Sequence, residues 1–332
     1  MTKRERFTSV MNFKLPDDRM PMMEWAPWWN QTIQRWQGEG LPSNLQGQEI
    51  AEYFGLDRLF SFGPPLRTAE FPKPVSHGAG VINEKTSYDD IRKFLFTDEL
   101  IERCKGAALN LKEKHEQGEY AVRFGMDGFF WFPRTLFGIT EHLFAFYDCP
   151  ELMHRINGDL ADFWLRTMEV IFPILKPDMV GISEDMSYNH GPMLSKELFD
   201  EFVGAYYKKV VPFIKQYDIK ILVDSDGDIT KMIPWLTEAG IDGVYPLERQ
   251  AGVDVVQIRK DYPDFIMLGA YDKMVMSKGE SQIREEFERL LPVMRTGGFI
   301  PSVDHQTPPE VSLENYRLYL RLFEEYCVKA VK

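Results

Sequence analysis

The sequence predicts a closed (β/α)8 barrel, an α/β fold, and three of its features lead to that prediction. Short apolar runs that stop at acidic or turn residues recur along the 332-residue chain, and stretches with helical periodicity separate them. Strands that alternate with helices form a parallel sheet, and eight such units in about 300 residues suit a closed barrel better than an open sheet. No predicted strand leads into a GxGxxG loop, which argues against a dinucleotide-binding fold.

Eight segments predict strands because β-branched or aromatic apolar residues run for a few positions and then stop. Strands buried on both faces are apolar throughout, so strict alternation is not required of them. The clearest segment is 220–224, whose apolar residues stop at three aspartates and a glycine. The predicted strands end near residues 24, 62, 126, 184, 225, 247, 272 and 304.

The segments between these strands predict helices from their apolar spacing and capping residues. Ser195 and Asp228 are the expected caps of the helices that follow them. The Pro- and Gly-rich stretch 64–90 predicts loops on the barrel rim, and an amino-terminal helical extension precedes the first strand. We expect one domain over 1–332, because the composition does not change along the chain. The predicted helices span Lys3–Met11, Trp28–Gln37, Ile50–Phe54, Tyr88–Phe94, Asp98–Gln117, Thr140–Phe172, Ser195–Gln216, Ile229–Glu238, Val253–Tyr262, Ser281–Met294 and Leu313–Ala330.

The composition argues against several classes of function. A net charge of −12 would repel a phosphate backbone, so we expect no binding to nucleic acid. No apolar run is long enough to cross a membrane, and the charged amino terminus lacks the apolar core of a signal peptide. The three cysteines are widely spaced and form no CxxC pattern, which fits free thiols in a reducing cytoplasm. We expect a cytoplasmic protein with a small-molecule substrate, and a homodimer is an open option.

Polar residues cluster at the predicted carboxyl ends of the strands. Because these ends meet at one rim of a barrel, we expect the active site there. Carboxylates outnumber cations, so the groups should raise one another's pKa, pair with Lys or Arg, or hold a metal ion. The set is Glu24, Arg123, Asp127, Glu184, Asp185, Asp224, Asp226, Tyr245, Glu248, Asp272, Lys273, Asp304 and His305.

Asp224 and Asp226 are two positions apart at the end of a strand, so both can face the barrel axis. His305 follows the last predicted strand, and the three residues together are a candidate metal site or acid–base set. His142 lies in a predicted helix and is expected to be structural, whereas His115 at the charged end of a helix is expected to be solvated. The cluster of Trp25, Trp28, Trp29 and Trp36 is either core or the apolar wall of a pocket.

Several segments resemble the uroporphyrinogen decarboxylase superfamily, whose members are (β/α)8 barrels. Among its members are porphyrinogen decarboxylases and corrinoid-dependent, zinc-containing methyltransferases that pass methyl groups from methylcobalamin to thiols. The matches occur in the family's order over nearly the whole chain. They are Arg4-Glu5-Arg6-Phe7, Tyr147-Asp148-Cys149-Pro150-Glu151-Leu152 (the family's "DDPEL"), Gly191-Pro192-Met193-Leu194-Ser195 with Phe199, Gly269-Ala270-Tyr271-Asp272-Lys273, and Thr307-Pro308-Pro309-Glu310 followed by Leu313-Glu314-Asn315.

The sequence departs from both branches of that family. The decarboxylases carry an arginine-rich stretch after the first strand, where this chain has the tryptophans 25, 28 and 29 and no arginine. The methyltransferases carry His-x-Cys-Gly and a later Cys that hold zinc, and these positions are Asp224, Asp226 and His305 here. The resemblance therefore implies a divergent site that binds a divalent metal (Zn, Mn or Fe) or acts as a metal-free acid–base set.

The resemblance implies an enzyme, and we expect a methyltransferase linked to cobalamin, which a corrinoid protein would carry. A decarboxylase or related lyase acting on a small carboxylic acid, bound by Arg123, Arg134 or Lys273, is the first alternative. A non-catalytic barrel that binds a partner is the second alternative. The expected catalytic residues are Asp224, Asp226, His305, Glu184 and Asp185, and the expected substrate contacts are Trp25, Trp28, Arg123, Tyr245, Glu248 and Lys273.

Overall fold

The computed structural model describes residues 1–332 and contains a curled sheet of seven parallel strands bordered by helices. Within this sheet each strand lies beside the one that precedes it in the chain, as helical crossovers require. A short antiparallel hairpin follows the third strand. The sheet strands are β1 (Leu59–Phe62), β2 (Ala121–Asp127), β3 (Met179–Ser183), β6 (Lys220–Asp224), β7 (Gly243–Tyr245), β8 (Ile266–Tyr271) and β9 (Phe299–Val303), and the hairpin strands are β4 (Ser187–Tyr188) and β5 (Gly191–Pro192).

The predicted first strand, which ends at residue 24, is absent, so the sheet has seven strands and β1 is not paired with β9. The segment 19–25 still lies between these two edges. The Asp57 amide donates a hydrogen bond to the Met22 carbonyl at 2.7 Å. On the other side, the Val303 amide of β9 donates to the Glu24 carboxylate at 3.1 Å. A side chain thus takes the place that a strand carbonyl would have, which explains why no strand pairing forms there.

The helices largely follow the predicted ones, with three differences. The predicted helix over Ser195–Gln216 contains a π-helical turn at Asp200–Gly204, which divides it in two. The predicted helix over Thr140–Phe172 divides at Cys149, because Pro150 starts a new helix more readily than it continues one. Helix α6 was not predicted, since its sequence lacks a clear apolar period. The helices are α1 (Lys3–Met11), α2 (Asn30–Gly38), α3 (Gln48–Tyr53), α4 (Tyr88–Arg92), α5 (Asp98–Glu116), α6 (Trp131–Phe137), α7 (Ile139–Asp148), α8 (Pro150–Ile171), α9 (Lys196–Phe199), α10 (Ala205–Lys215), α11 (Ile233–Glu238), α12 (Val255–Asp261), α13 (Glu280–Met294) and α14 (Leu313–Val331).

The predicted caps are confirmed at two positions. The Ser195 hydroxyl accepts a hydrogen bond from the Leu198 amide at the start of α9, at 3.3 Å. The Asp228 carboxylate accepts one from the Thr230 amide at 3.0 Å, at the start of a 3-10 turn that leads into α11. Asp228 therefore caps the backbone turn beyond β6, whereas Asp224 and Asp226 do not have this capping role.

The hydrophobic core is one continuous cluster of 100 buried residues between the sheet and the helices. His115 corrects one expectation: it is buried, and its Nε2 lies 2.8 Å from the Asp178 carboxylate instead of being solvated. The three cysteines are free. None of the helices has the length and apolarity needed to cross a membrane.

Candidate active site

A cavity of about 260 Å³ opens at the carboxyl ends of β3 and β6. Four of its lining residues are carboxylates, and none is a lysine or an arginine. The carboxyl ends of parallel strands meet here because the sheet curls, so side chains distant in sequence face one space. The lining residues are Trp25, Trp131, Ser183, Glu184, Asp185, Asp224, Asp226 and His305.

Asp224 is the last residue of β6, and its carboxyl group has an unusual proton affinity. Burial is the main cause that raises the pKa of Asp224 to about 7, and the carboxylates of Asp226 and Asp185 act in the same direction. The Arg123 guanidinium acts in the opposite direction but does not restore an ordinary value. Near neutral pH this carboxyl group is therefore present in both protonation states, as a general acid or base requires.

Asp226 lies two residues beyond Asp224 and is more exposed. Burial raises the pKa of Asp226 to about 6, and the Glu248 carboxylate acts in the same direction. His305 lowers that pKa, since its Nε2 lies 3.7 Å from the Asp226 carboxylate. This distance is too long for a hydrogen bond but allows an ion pair when the imidazole is protonated. Asp226 is thus a second carboxyl group beside Asp224 that can hold a proton near neutral pH.

Trp25 connects the cavity to the interior of the sheet. Its indole ring packs edge-on against His305 and Tyr245, with ring centroids 6.3 Å and 5.4 Å away. The indole N–H donates to the Val303 carbonyl at 2.6 Å, which holds the ring in place. The Tyr245 hydroxyl accepts a hydrogen bond from Arg123 Nη1 at 2.9 Å. Arg123 and Tyr245 therefore contribute to the charge and shape around the cavity without lining it.

Glu184 lines the cavity but has a mainly structural role. Its fully buried carboxylate accepts hydrogen bonds from the Tyr207 hydroxyl at 2.6 Å and from the backbone amides of residues 129, 130 and 131 at 3.0, 2.8 and 3.2 Å. Burial nevertheless raises the pKa of Glu184 to about 7. Gly128 makes this arrangement possible, because a Cβ there would lie 2.0 Å from the Glu184 carboxyl carbon. Glu184 thus holds the turn that positions Trp131 at the cavity.

Asp185 follows with a backbone φ of 46°, a left-handed conformation that is uncommon for a residue other than glycine. Arg134 Nη1 donates to the Asp185 carboxylate at 3.0 Å and to its carbonyl at 3.3 Å. The Asp185 amide donates to the Asp224 carbonyl at 3.1 Å. Such backbone strain occurs preferentially at functional sites, and here it turns the Asp185 carboxylate toward the cavity.

Other residues that the sequence suggested do not line the cavity. Trp28 is a correction, since it is buried against Trp36 and Tyr316 with centroids 6.1 and 6.0 Å away. Lys273 is a second correction, because its Nζ donates to the buried Asp304 carboxylate at 3.1 Å.

The remaining acidic residues of the predicted rim have structural partners or lie elsewhere. The Glu248 carboxylate accepts from the Gly227 amide at 2.9 Å, and Asp272 caps the 3-10 turn after β8 by accepting from Met274. Glu24 is held by Ser302 and β9, and Asp127 lines a separate small cavity with Arg67.

Trp131 and Arg67 were not predicted from the sequence, and Arg134 was predicted only as a carboxylate-binding residue of the lyase alternative. Trp131 and Arg134 are three positions apart on α6, so they lie on one face of that helix. The spacing of an aromatic residue and a cation was visible in the sequence, but α6 itself was not predicted. Arg67 was missed as well, since the Pro- and Gly-rich segment around it suggested only loops.

The proposed metal ligands do not form a metal-binding group in this arrangement. No set of three His, Cys, Asp or Glu side chains in residues 1–332 is grouped closely enough to hold a metal ion. Asp226 and His305 are near each other, but Asp224 does not converge with them on one point. The donors would be carboxylates and an imidazole without a thiolate. The arrangement therefore does not fit a resident metal ion.

Comparisons with known proteins give a family and a fold. A family model described as uroporphyrinogen decarboxylase (URO-D) matches residues 136–326, which contain most of the cavity. No curated protein sequence matches the chain. A methyltransferase from Methanosarcina mazei has a similar structure at 13% identity and a TM-score of 0.64, over 98% of this chain and 99% of that one. A candidate vitamin-B12-independent methionine synthase from Listeria monocytogenes is 11% identical with a TM-score of 0.46, over 94% and 97% of the two chains. At these identities the first similarity shows the fold alone, and the second carries no argument.

Proposed function

Because the chain belongs to the uroporphyrinogen decarboxylase (URO-D) family, we propose that it is an enzyme whose active site is the acidic cavity at the ends of β3 and β6. The observation that carries this proposal is the pair of carboxyl groups, Asp224 and Asp226, whose pKa values of about 7 and about 6 lie near neutral pH. Both line one small cavity together with His305. Such a set can hold and move protons during a reaction.

The reaction we propose is methyl transfer to or from a small molecule. The methyl group leaves its donor without the bonding electron pair, which the donor keeps. The heteroatom of the acceptor forms the new bond to carbon and loses its proton to the neighbouring carboxylates of Asp226 and Asp224. In the opposite direction, the same pair of carboxyl groups returns that proton to the heteroatom that gives up its methyl group. Acid–base assistance of this kind contributes about 10²- to 10⁴-fold to rate.

We include cobalamin in this proposal as the methyl donor or acceptor, supplied free or by a corrinoid protein. The support is the resemblance of the sequence to the corrinoid-dependent methyltransferases, together with the family membership. The test is to mix the protein with methylcobalamin and a panel of small thiols and amines and to follow the visible absorbance of the corrinoid. Loss of the methylcobalamin spectrum with wild type, and its persistence with Asp226→Asn, would support the proposal. Equal rates of methylcobalamin loss in wild type and Asp226→Asn would contradict the proposal.

The dependence of this reaction on pH is a testable prediction. When an acceptor loses a proton, kcat/KM should rise as pH passes about 6 to about 7, because the pair of Asp226 and Asp224 must be ionised to take that proton. When a methylated donor is demethylated, kcat/KM should fall over the same range, because the pair loses the proton that it must donate. Initial rates between about pH 5 and pH 8 test both statements, and the two apparent values belong to the interacting pair. A flat profile in both directions would contradict the assignment.

Decarboxylation is the second candidate, and the proton affinity of Asp224 favours it. The bond to the carboxylate carbon breaks, CO₂ leaves, and the electron pair that remains on carbon takes a proton from the protonated Asp224 carboxyl group. No cation lines the acidic cavity itself, so the substrate carboxylate that becomes CO₂ would not be held there by an ion pair. Release of CO₂ from a panel of small carboxylic acids, absent with Asp224→Asn, would favour this reaction over methyl transfer.

The role of a metal is tested separately from the reaction. We expect less than one equivalent of zinc, manganese or iron in the purified protein, and unchanged activity after dialysis against EDTA, because the donors do not converge. Elemental analysis of wild type beside Asp224→Asn and His305→Ala provides the measurement. A stoichiometric metal that both variants lose would restore the metal site that the sequence suggested.

A further inference from the structure

A second cavity, of about 530 Å³, lies on the other side of Trp131 from the acidic one. The loop between β1 and α4 forms one wall and the helices α6 and α7 form the other. We call it the cationic cavity because Arg67, Lys73 and Arg134 line it and none of its 16 lining residues is Asp or Glu. The positive charge of this cavity is opposite to the net charge of the chain, which is −12. Clefts lined by one sign of charge concentrate ligands of the other sign.

Arg67 is the residue that most clearly lacks a partner. Its guanidinium packs over the rings of Phe71 and Phe132, 4.9 and 5.5 Å from their centroids, and Nη2 donates to the Thr135 hydroxyl. Its Nε is buried without any hydrogen-bond acceptor. Burial lowers the pKa of Arg67, and the nearest opposing influence is the Asp127 carboxylate, which forms no direct ion pair with it. A partly buried cation without a carboxylate partner costs stability, and an anionic ligand would offset that cost.

The cationic cavity and the acidic cavity share a wall. Trp131 lines both of them. Arg134 lines the cationic cavity, and its Nη1 lies 3.0 Å from the carboxylate of Asp185, which lines the acidic one. The two cavities are therefore adjacent, with the Trp131 ring and the ion pair of Arg134 and Asp185 between them. The anionic part of a small-molecule ligand would be repelled by the ionised carboxylates of the acidic cavity and attracted by Arg67 and Lys73 in the cationic one.

We propose that the cationic cavity binds the anionic tail of the substrate, a carboxylate or a phosphate group, and so directs the uncharged reacting end toward Asp224 and Asp226. The inference rests on the proposed function for its statement about the reacting end. Binding of the anion to Arg67 and Lys73 is independent of that function. Arg67 is suited to a carboxylate or a phosphate because its planar guanidinium can donate two parallel hydrogen bonds to either group.

Calorimetric titration of the protein with succinate and with inorganic phosphate tests the binding. We expect wild type to bind at least one of these anions, and Arg67→Gln to bind it about tenfold or more weakly. Lys73→Gln should weaken binding several-fold and cannot disturb the core, because Lys73 is exposed. Arg103→Gln is the matched control, since this exposed arginine on α5 lies outside the cavity and makes no ion pair, and its affinity should equal that of wild type. Succinate alone would indicate a carboxylate tail and phosphate alone a phosphorylated one.

Failure of this inference can be separated from failure of the proposed function. If anion binding depends on Arg67 and Lys73 but no methyl transfer or decarboxylation is found, the anion-binding site is supported and the proposed reaction is wrong. If Arg67→Gln and Lys73→Gln bind both anions as wild type does, or if wild type binds neither anion, the cavity assignment is wrong whatever the activity. Thermal unfolding with and without the anion shows whether Arg67→Gln is folded. Wild type should gain thermal stability from the anion and a folded Arg67→Gln protein should gain much less.

Discussion

Replacing Asp224 by asparagine is expected to lower the activity by about 10²- to 10⁴-fold while making the folded protein more stable at pH 8. The activity falls because asparagine cannot hold or release the proton. The stability rises because burial raises the pKa of Asp224 to about 7, so ionisation of this group is disfavoured in the folded protein. We expect a gain of about 1–4 kcal/mol in the free energy of unfolding.

The sign of this effect sets its dependence on pH. The pKa of Asp224 is higher in the folded protein than its ordinary value of 3.8, so the folded state binds more protons between these two values. Its stability penalty is absent below about pH 4, grows as pH rises, and is complete above about pH 7. The advantage of Asp224→Asn should therefore shrink as the pH is lowered toward 4. Denaturant unfolding at several pH values measures it.

Asp228→Asn is the matched control, because it makes the same chemical change on an aspartate that caps a turn outside the cavity. It should leave activity unchanged and should not stabilise the protein. If Asp224→Asn were as active as wild type, Asp224 would not be the acid or base of the reaction. If it were destabilised at pH 8, the buried carboxylate would instead have a favourable partner in the folded state.

Replacing Glu184 by alanine should produce the largest loss of stability among the site residues, about 3–5 kcal/mol. The fully buried carboxylate accepts four hydrogen bonds, three of them from backbone amides at the start of α6. Without it these donors have no acceptor, and α6 loses the contact that fixes Trp131. We also expect reduced activity, since Trp131 lines the acidic cavity. Guanidinium unfolding with circular dichroism measures the loss.

Two further variants make this prediction specific. Glu184→Gln keeps one carbonyl oxygen as an acceptor but points an NH₂ group at the other donors, so we expect an intermediate loss of about 1–3 kcal/mol. Glu141→Ala removes an exposed carboxylate on the neighbouring helix α7 and should change stability by less than about 0.5 kcal/mol. If Glu184→Ala unfolded at the same guanidinium concentration as Glu141→Ala, the hydrogen-bond network around Glu184 would not carry the stability assigned to it.

The sheet strands β2, β3, β6, β7, β8 and β9 show where a single sequence is informative about fold. Runs such as Ile221–Val223 are apolar on both faces and stop at a polar residue. The structure has a strand within a few residues of each of these runs. The predicted strand before residue 25 failed for a local reason. Its carboxylate Glu24 hydrogen-bonds to β9, and no apolar pattern can show that a side chain will replace a backbone carbonyl.

The candidate active site was also predicted from the sequence only in part. Period-two spacing after β6 predicted that Asp224 and Asp226 would lie together, and both line the cavity. The same reasoning grouped Glu184 with them, although its hydrogen bonds make it mainly a support for α6. Trp25 and Trp28 are three residues apart with similar neighbours in sequence, yet one lines the cavity and the other is in the core.

The amino-acid sequence by itself determined the parallel α/β architecture, the family resemblance and the carboxylates at the strand ends, because periodicity and strand termini are local properties of the chain. Only the tertiary structure decided which of those carboxylates are supports and which face a cavity, because that depends on partners more than twenty residues away, such as Tyr207 for Glu184. The cationic cavity also depends on tertiary structure. Arg67 and Arg134 come together only when the loop after β1 packs against α6.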